Sequence, residues 1–436
     1  MIFDPALDLF PLLAGALAAM TCGLLGNFLV LRRQSLMGDA ISHAVLPGLV
    51  IAFLIGSSRD PLLMFGGATV AGLSCVVLIE LVKRLGRVEP GAAMGVVFSV
   101  MFALGVLLIE QAAARHVDLD ADCVLYGQLE ILVWFDAPQG FAGLWSLETL
   151  WALPRQVVVL LVMLASAGLF VLLFFKELRI TAFDPDLATA QGIHAGVMHY
   201  ALMILVAAAT VASFEAVGSI LVIAMLIAPA ATARLLTDRL VSQILVSLVV
   251  ALLSACGGYV AATAIPAAFG AGSVNAAGSM TVVAGLLVGL AAWCAPSHGL
   301  LARAWRRRRL ARAAAVDDLL AALWRMRESG AGRVRADSIV TRSVFDLPLA
   351  RRIARRQGLL EVHGAELALT PAGAEHAARQ VRRHRQWERY LAEHAGVAVE
   401  RVHDHAEDFE HFAIEPGGGG LDPHGRRIPA ADHRDR

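Results

Sequence analysis

Nine apolar runs fill the first 300 residues of this chain, at about 9–31, 38–56, 62–83, 91–110, 156–175, 198–213, 216–235, 241–262 and 279–296. Each is long enough, or nearly so, to cross a hydrocarbon layer about 30 Å thick. Lipid offers the backbone no hydrogen-bond partners, so such a chain folds as a bundle of spanning helices. The runs at 198–213 and 216–235 are barely separated, and a broken or re-entrant helix there makes the count eight. With 57% hydrophobic residues and a mean hydropathy of +0.65, the chain falls among polytopic membrane proteins. Net charge is zero, which gives no global argument for nucleic acid or another charged partner. The five cysteines all precede residue 300 and form no CxxC pair, so they read as small buried residues. No basic stretch precedes the first run, which reads as a retained span.

Basic residues orient the bundle. Arg32 and Arg33, then Lys83, Arg84 and Arg87, then Lys176 and Arg179, then Arg234 and Arg239 fall on alternate connections, and the arginines at 303–309 share their side. The opposite connections carry Asp118, Asp120, Asp122, Asp136 and Glu215 and are nearly free of basic residues. By the positive-inside rule, nine spans place the N-terminus outside and the polar C-terminal part in the cytoplasm. The long outer connection, 111–155, mixes aromatics with acids as an interfacial helix does. Its alternating acids read as a solvated loop or as a funnel for cations.

Three stretches carry the chemistry. LRRQSLMGDAISHAVLPG, residues 31–48, places Asp39 and His43 four residues apart, on one helical face. A carboxylate and an imidazole so placed can hold a divalent transition metal between them. They can equally be a helix-start aspartate followed by an interfacial histidine. Their position at the start of the second span, near its basic end, calls for a re-entrant turn or a deep aqueous vestibule if metal is to reach them. In the connection 176–198, Asp184-Pro185 starts and Gly192 ends a helix of about two turns, a natural docking knob for another subunit or simply a connecting turn. In MLIAPAATA, Pro229 is expected to kink its helix while small residues allow close packing. Glu215 lies at an outer span end, and His194 and His199 are expected to face solvent or a partner.

From Ala302 the composition turns to Arg, His and Glu, so residues 1–300 read as a membrane domain, 301–316 as a basic juxtamembrane linker, and 317–436 as a separate polar domain. The basic stretch 303–314 is expected against anionic lipid headgroups. An amphipathic helix at 317–329, a helix at 348–357, a strand–turn–strand over LLEVHGAELALT with its turn at His363-Gly364, and a long helix capped by Thr370-Pro371 make a winged-helix α+β domain. Beyond it, His384 and Glu388 stand one turn apart. Glu407, Glu410 and His411 follow at i, i+3 and i+4, with His403 one turn earlier. Imidazole and carboxylate on neighbouring helices suit manganese, iron or zinc; a solvated charged helix has the same composition.

RRQSLMGDAISHAVLPG, FDPDLATAQGI and AVGSILVIAMLIAPAATARLLTDR resemble the manganese/zinc/iron permeases of ATP-binding-cassette uptake systems, over about residues 8–297 and in that family's order. The resemblance implies that Asp39 and His43 hold the metal in transit. It also implies that Phe183, Asp184, Pro185, Asp186, Leu187, Ala188 and Gly192 form the coupling helix that fits a groove on a cytoplasmic ATPase. No GxxxxGK[ST] loop is present, so a separate subunit hydrolyses ATP and this chain is no enzyme. Residues 317–429 are similar to metal-dependent repressors of the diphtheria-toxin-repressor and manganese-regulator family, through the wing LLEVHGAELALTPAG and through VHDHAEDFEH and DPHGRRIP. By that resemblance Asp318, Glu407, Glu410 and His411 form a primary metal site, and His384, Glu388 and His403 an ancillary one. Ala321 stands where manganese regulators often carry an acid, which leaves selectivity for manganese open. LPLARRIARRQG keeps the arginines of a recognition helix but is tied to a membrane, so a sensing and dimerising role is expected rather than DNA binding.

The expectation is therefore an all-α membrane permease of eight to nine spans in a bacterial inner membrane, followed by a cytoplasmic winged-helix domain with a helical metal-binding and dimerisation region. Its partners would be an ATPase, an extracytoplasmic metal-binding protein, a second permease subunit and membrane lipid. Its substrate and regulatory ligand would be manganese, zinc or iron. A membrane-tethered, metal-dependent transcription regulator is the alternative from another class, and a metal exporter or passive channel is a third.

Overall fold

The computed structural model describes residues 5–56, 61–113, 129, 153–272, 274–330, 333–339, 347–409 and 421–429. The interfacial helix and acidic loop expected within 111–155 lie largely outside them. The chain divides into two compact units, Met1–Ala302 and Arg303–Arg436.

In the first unit, α1 (Pro5–Leu31), α2 (Met37–Gly56), α3 (Pro61–Gly86), α4 (Pro90–Ala113) and α5 (Arg155–Leu173) are followed by two short helices, α6 (Phe175–Phe183) and α7 (Pro185–Ala190). Then come α8 (Ala195–Leu236), α9 (Leu240–Ala268) and α10 (Ala276–Cys294). Eight of these helices are long and apolar enough to cross a membrane among the described residues. At 42 residues, α8 would be about 63 Å long if straight, twice a hydrocarbon core. It is not straight, because Gly218 breaks it with φ 79° and ψ 168°, a conformation open to glycine and costly for other residues.

Side-chain contacts show that the chain doubles back there. At the start of α8, His199 Nδ1 lies 3.1 Å from Arg32 Nη1, just past the end of α1. Just after α8 ends, Gln243 Nε2 donates to Asn27 Oδ1 at 3.1 Å, near that same end of α1. Next to the break, Glu215 meets Arg155 at the head of α5, 4.0 Å away. Both ends of α8 therefore lie at the basic face and Gly218 at the opposite one. The runs at 198–213 and 216–235 are two crossings joined by a glycine, and the non-helical residue is Gly218 rather than Pro229.

The hub is α1, the most completely buried of the spans, which packs against α5, α8 and α9. Small residues let α8 come close: a Cβ on Gly26 would stand 1.9 Å from the Leu226 carbonyl oxygen, and Gly23 faces the Pro229 ring. Replacing Gly26 with leucine should therefore lower the melting temperature in detergent by roughly 10 °C or prevent assembly, because overpacking a close helix crossing costs several kcal/mol. Gly66→Ala, where a Cβ meets nothing, serves as control. Equal melting temperatures for the two variants would contradict this packing.

The second unit contains α11 (Leu300–Glu328) from Arg303 onward, β1 (Val334–Arg335), α12 (Leu347–Arg356), β2 (Leu360–His363), β3 (Glu366–Leu369), α13 (Pro371–His394) and α14 (Val399–Phe409). The basic stretch 303–314 and the amphipathic 317–328 segment are one uninterrupted helix, α11. The expected wing is present, β2 pairing antiparallel with β3 and Gly364 taking φ 65° in the turn. A third strand that the sequence did not announce, β1, joins it, giving the order β1-β3-β2. Leu319, Leu320 and Leu323 of α11 share one core with Val334, Ala350, Ala354, Leu360, Leu367 and Ala377. Thr370 caps α13, accepting from the Gly373 amide at 3.0 Å, with Pro371 in the first turn.

Candidate functional site

Asp39 and His43 lie in the first two turns of α2. The turn that brings them there is tight: Arg33 takes φ 57°, and the amides of Arg33 and Gln34 close the end of α1 on Val30 and Leu29. Met37, Gly38, Ala40, Ile41, Ser42, Ala44 and Val45 are buried, so helical spacing leaves Asp39, His43, Leu46 and Leu49 as a half-exposed stripe. Gly38 allows this seating, since a Cβ there would stand 2.3 Å from Leu226 Cδ1. His43 Nε2 sits 3.3 Å from Asp39 Oδ1. The imidazole packs against Phe98 and Phe102 of α4, ring centroids 4.9 and 5.4 Å away, which fixes its plane. The structure thus presents two oriented donors on a partly open face. Among the described residues, no third His, Cys, Asp or Glu joins them. A cation held there keeps most of its coordination positions for water or for groups outside this chain.

At the basic face, α7 stands where Asp184-Pro185 and Gly192 predict it. Asp184 Oδ1 accepts from the Leu187 amide at 2.9 Å, Pro185 occupies the first turn, and Gly192 takes φ 81° to end the helix. Ala188 is fully buried and anchors the helix, while Asp186 and Leu187, with Phe183 just before, are exposed. The preceding α6 was not legible in the sequence: its N-cap, Phe174, offers no side-chain cap. His199, expected to face solvent or a partner, instead packs half-buried against Arg32. His194 is exposed at the start of α8, and Glu215 is engaged by Arg155.

In the second unit, His384 and Glu388 on α13 and His403 on α14, the three residues that the repressor resemblance groups, lie together. His384 Nε2 is 3.0 Å from Glu388 Oε1, His403 Nδ1 is 2.7 Å from that same oxygen, and the two nitrogens are 2.8 Å apart. Leu391, Val402 and Ala406 zip the two helices together beside the cluster. Burial alone raises the Glu388 carboxyl, but the hydrogen bonds with His384 and His403 outweigh it and hold the group well below the usual carboxylate range. Two imidazole nitrogens and a carboxylate oxygen within 4.8 Å of one another make a donor set that suits a manganese, iron or zinc ion. Beside them lies a feature with no local signature in the sequence. Arg385 is buried and ties α13 to Glu328 at the end of α11 at 2.5 Å, to Asp422 at 3.6 Å and to the Arg427 carbonyl. Of the expected primary site, Asp318 is half-buried on α11 and the Glu407 backbone belongs to α14. The Glu407 side chain, Glu410 and His411 lie outside the described residues.

Residues 9–136 and 149–289 match the ABC 3 transport family, and residues 370–415 match the metal binding and dimerisation domain of iron dependent repressors. The manganese transport system membrane protein MntD of Bacillus subtilis is 38% identical over 297 residues, 67% of this chain and 93% of that protein. The zinc transport system membrane protein TroD of Treponema pallidum is 36% identical over 366 residues, 83% of this chain and 95% of that protein. That alignment is longer than the membrane unit and so reaches into the C-terminal one. Among solved structures, PsaBC from Streptococcus pneumoniae in complex with Fab superposes with a TM-score of 0.52 at 31% identity, covering 66% of this chain and 92% of that one. Bundle, capped α7 and matched residues agree, and the chain belongs to the ABC 3 transport family, with a repressor-type metal-binding segment behind its membrane part.

Proposed function

We propose that this chain is the permease subunit of an ATP-driven importer of divalent transition metal, manganese, zinc or ferrous iron, with its C-terminal unit as a cytoplasmic metal sensor. The observation that carries the reading is α7, a capped helix at the basic face that offers Phe183 and Leu187 to a partner. A membrane anchor for a transcription regulator needs no such knob. The basic residues around α7 support a cytoplasmic position for that face; an ATPase docks there and an extracytoplasmic protein delivers metal to the opposite face. Asp39 and His43 hold the ion in transit. Two donors per subunit, joined by those of a second permease subunit, bind an ion well enough to admit it and weakly enough to release it.

The sensor responds to cytoplasmic metal at His384, Glu388 and His403 and at the Asp318, Glu407, Glu410 and His411 set. A bound ion joins α13 to α14, and Arg385 carries the position of α13 to the end of α11. Metal shifts the transporter only by binding one of its states better than another. The test is energised uptake of each metal separately, in cells holding the complete system, with the full chain and with residues 313–436 deleted. Metal-specific uptake that requires the ATPase is expected, with the truncated chain accumulating severalfold more metal at high external concentration. Uptake independent of the ATPase would overturn the importer. Unchanged accumulation after truncation would overturn the sensor.

A further inference from the structure

We propose that the second unit carries a binding site for the headgroup of an anionic phospholipid, separate from both metal sites and independent of which ion is transported. The C-terminal unit holds a cavity of about 570 Å³ between the first half of α11, the end of α12 and the start of α13. Three guanidinium groups, Arg308, Arg309 and Arg312, line it, and none has an ion-pair partner among the described residues. Val316 and Ile353 add apolar lining, and Gln357 and Asp317 add polar lining, the Asp317 carboxylate being held by His376 Nε2 at 2.8 Å.

Each part matches part of one ligand. Planar guanidinium forks suit phosphate oxygens, which they bind in pairs. The apolar lining suits a glycerol backbone, and Asp317 and Gln357 can accept from headgroup hydroxyls. A headgroup such as phosphoglycerol satisfies all three; a choline headgroup brings a cation to a cavity already rich in arginine.

The order of residues along α11 says why the phosphate belongs to lipid. Leu301, Trp305, Arg308 and Arg312 follow at i, i+4, i+7 and i+11, one stripe of the helix. Leu301 and Trp305 are well exposed and begin seven residues after the last apolar helix ends at Cys294. Leucine, then tryptophan, then arginine is the order of hydrocarbon edge, interface and phosphate layer. Duplex DNA would leave Trp305 and Leu301 without a use.

The experiment uses the full-length protein in mild detergent. Saturable binding of dioctanoyl-phosphatidylglycerol, read by native mass spectrometry and by thermal shift, is compared with dioctanoyl-phosphatidylcholine, inorganic phosphate and a random-sequence duplex DNA. The phosphatidylglycerol should bind at least about tenfold more tightly than the choline lipid. It should be lost in Arg308→Gln/Arg309→Gln/Arg312→Gln and kept in Arg303→Gln/Arg307→Gln, which removes charge from the same helix outside the cavity. Should the triple variant fail to fold, Gln357→Glu, an exchange at an exposed residue that adds a negative charge to the lining of an anion site, should weaken the lipid severalfold. Four results would overturn the site: equal binding of the two lipids, equal loss in both arginine variants (in Gln357→Glu, no loss), inorganic phosphate as tight as the lipid, or DNA displacing the lipid.

Discussion

Replacing either Asp39 or His43 with alanine is expected to bring energised metal uptake down to that of cells lacking this chain. A two-donor site that loses one donor retains a single monodentate contact, and the ion then gains nothing over water by entering. Removal of an outer-shell partner of a metal ligand already costs about 10–100-fold in affinity, and loss of a ligand itself costs more. The structure adds a control. Phe98 and Phe102 orient the imidazole without contributing a donor, so Phe98→Leu should reduce uptake partially while leaving the metal preference unchanged. Both alanine variants need confirmed membrane levels, since Asp39 lies within the first turn of α2. Normal uptake by both would make the pair structural and the transit site would have to lie elsewhere.

The second large effect is expected at α7. Leu187→Asp should abolish uptake and release the ATPase on co-purification, while the permease itself keeps its melting temperature. Leu187 and Phe183 are exposed and belong to no core among the described residues, so a charge at Leu187 costs the fold little, whereas in a protein–protein contact it desolvates an unpaired carboxylate. Asp184→Ala is the graded companion. It removes the cap on the Leu187 amide, worth about 1 kcal/mol, and should weaken coupling without eliminating it. An ATPase that stays bound to the Leu187→Asp permease would show that α7 is not the dock.

Much of this was legible in the sequence because the determinants are local. Hydropathy sets the spans, Asp184-Pro185 and Gly192 bound α7, and four-residue spacing on one helix pairs Asp39 with His43 and His384 with Glu388. What was hidden depends on contacts distant in sequence or on signals too short to read. Pro229 is the obvious punctuation in its segment, yet a proline whose ring packs on a glycine of α1 can stay within a helix, and the reversal falls to Gly218. The two-residue β1 carries no periodicity at all. Arg385 sits next to His384 in a run of charged residues, and only the fold shows that it is buried and reaches Glu328 and Asp422. The sequence gives His199 no reason to turn inward, because the half-buried Arg32 beside it lies 167 residues away in the chain.

The central place of α1 also bears on how the protein is made. Asn27, fully buried on that helix, finds its side-chain partners in Gln243 and Ser247, 216 and 220 residues later. Until α9 is synthesised, the first span must wait in lipid with an amide that can reach only the carbonyls of its own preceding turn. At ribosomal speeds of about 5–20 residues per second the interval is tens of seconds. During it α2 to α8 arrive one after another around a helix whose final neighbour is missing. Nascent chains that stop short of α9 would therefore present an unmatched polar surface within the bilayer, the kind of mark by which a quality-control protease can tell an unfinished permease from a complete one.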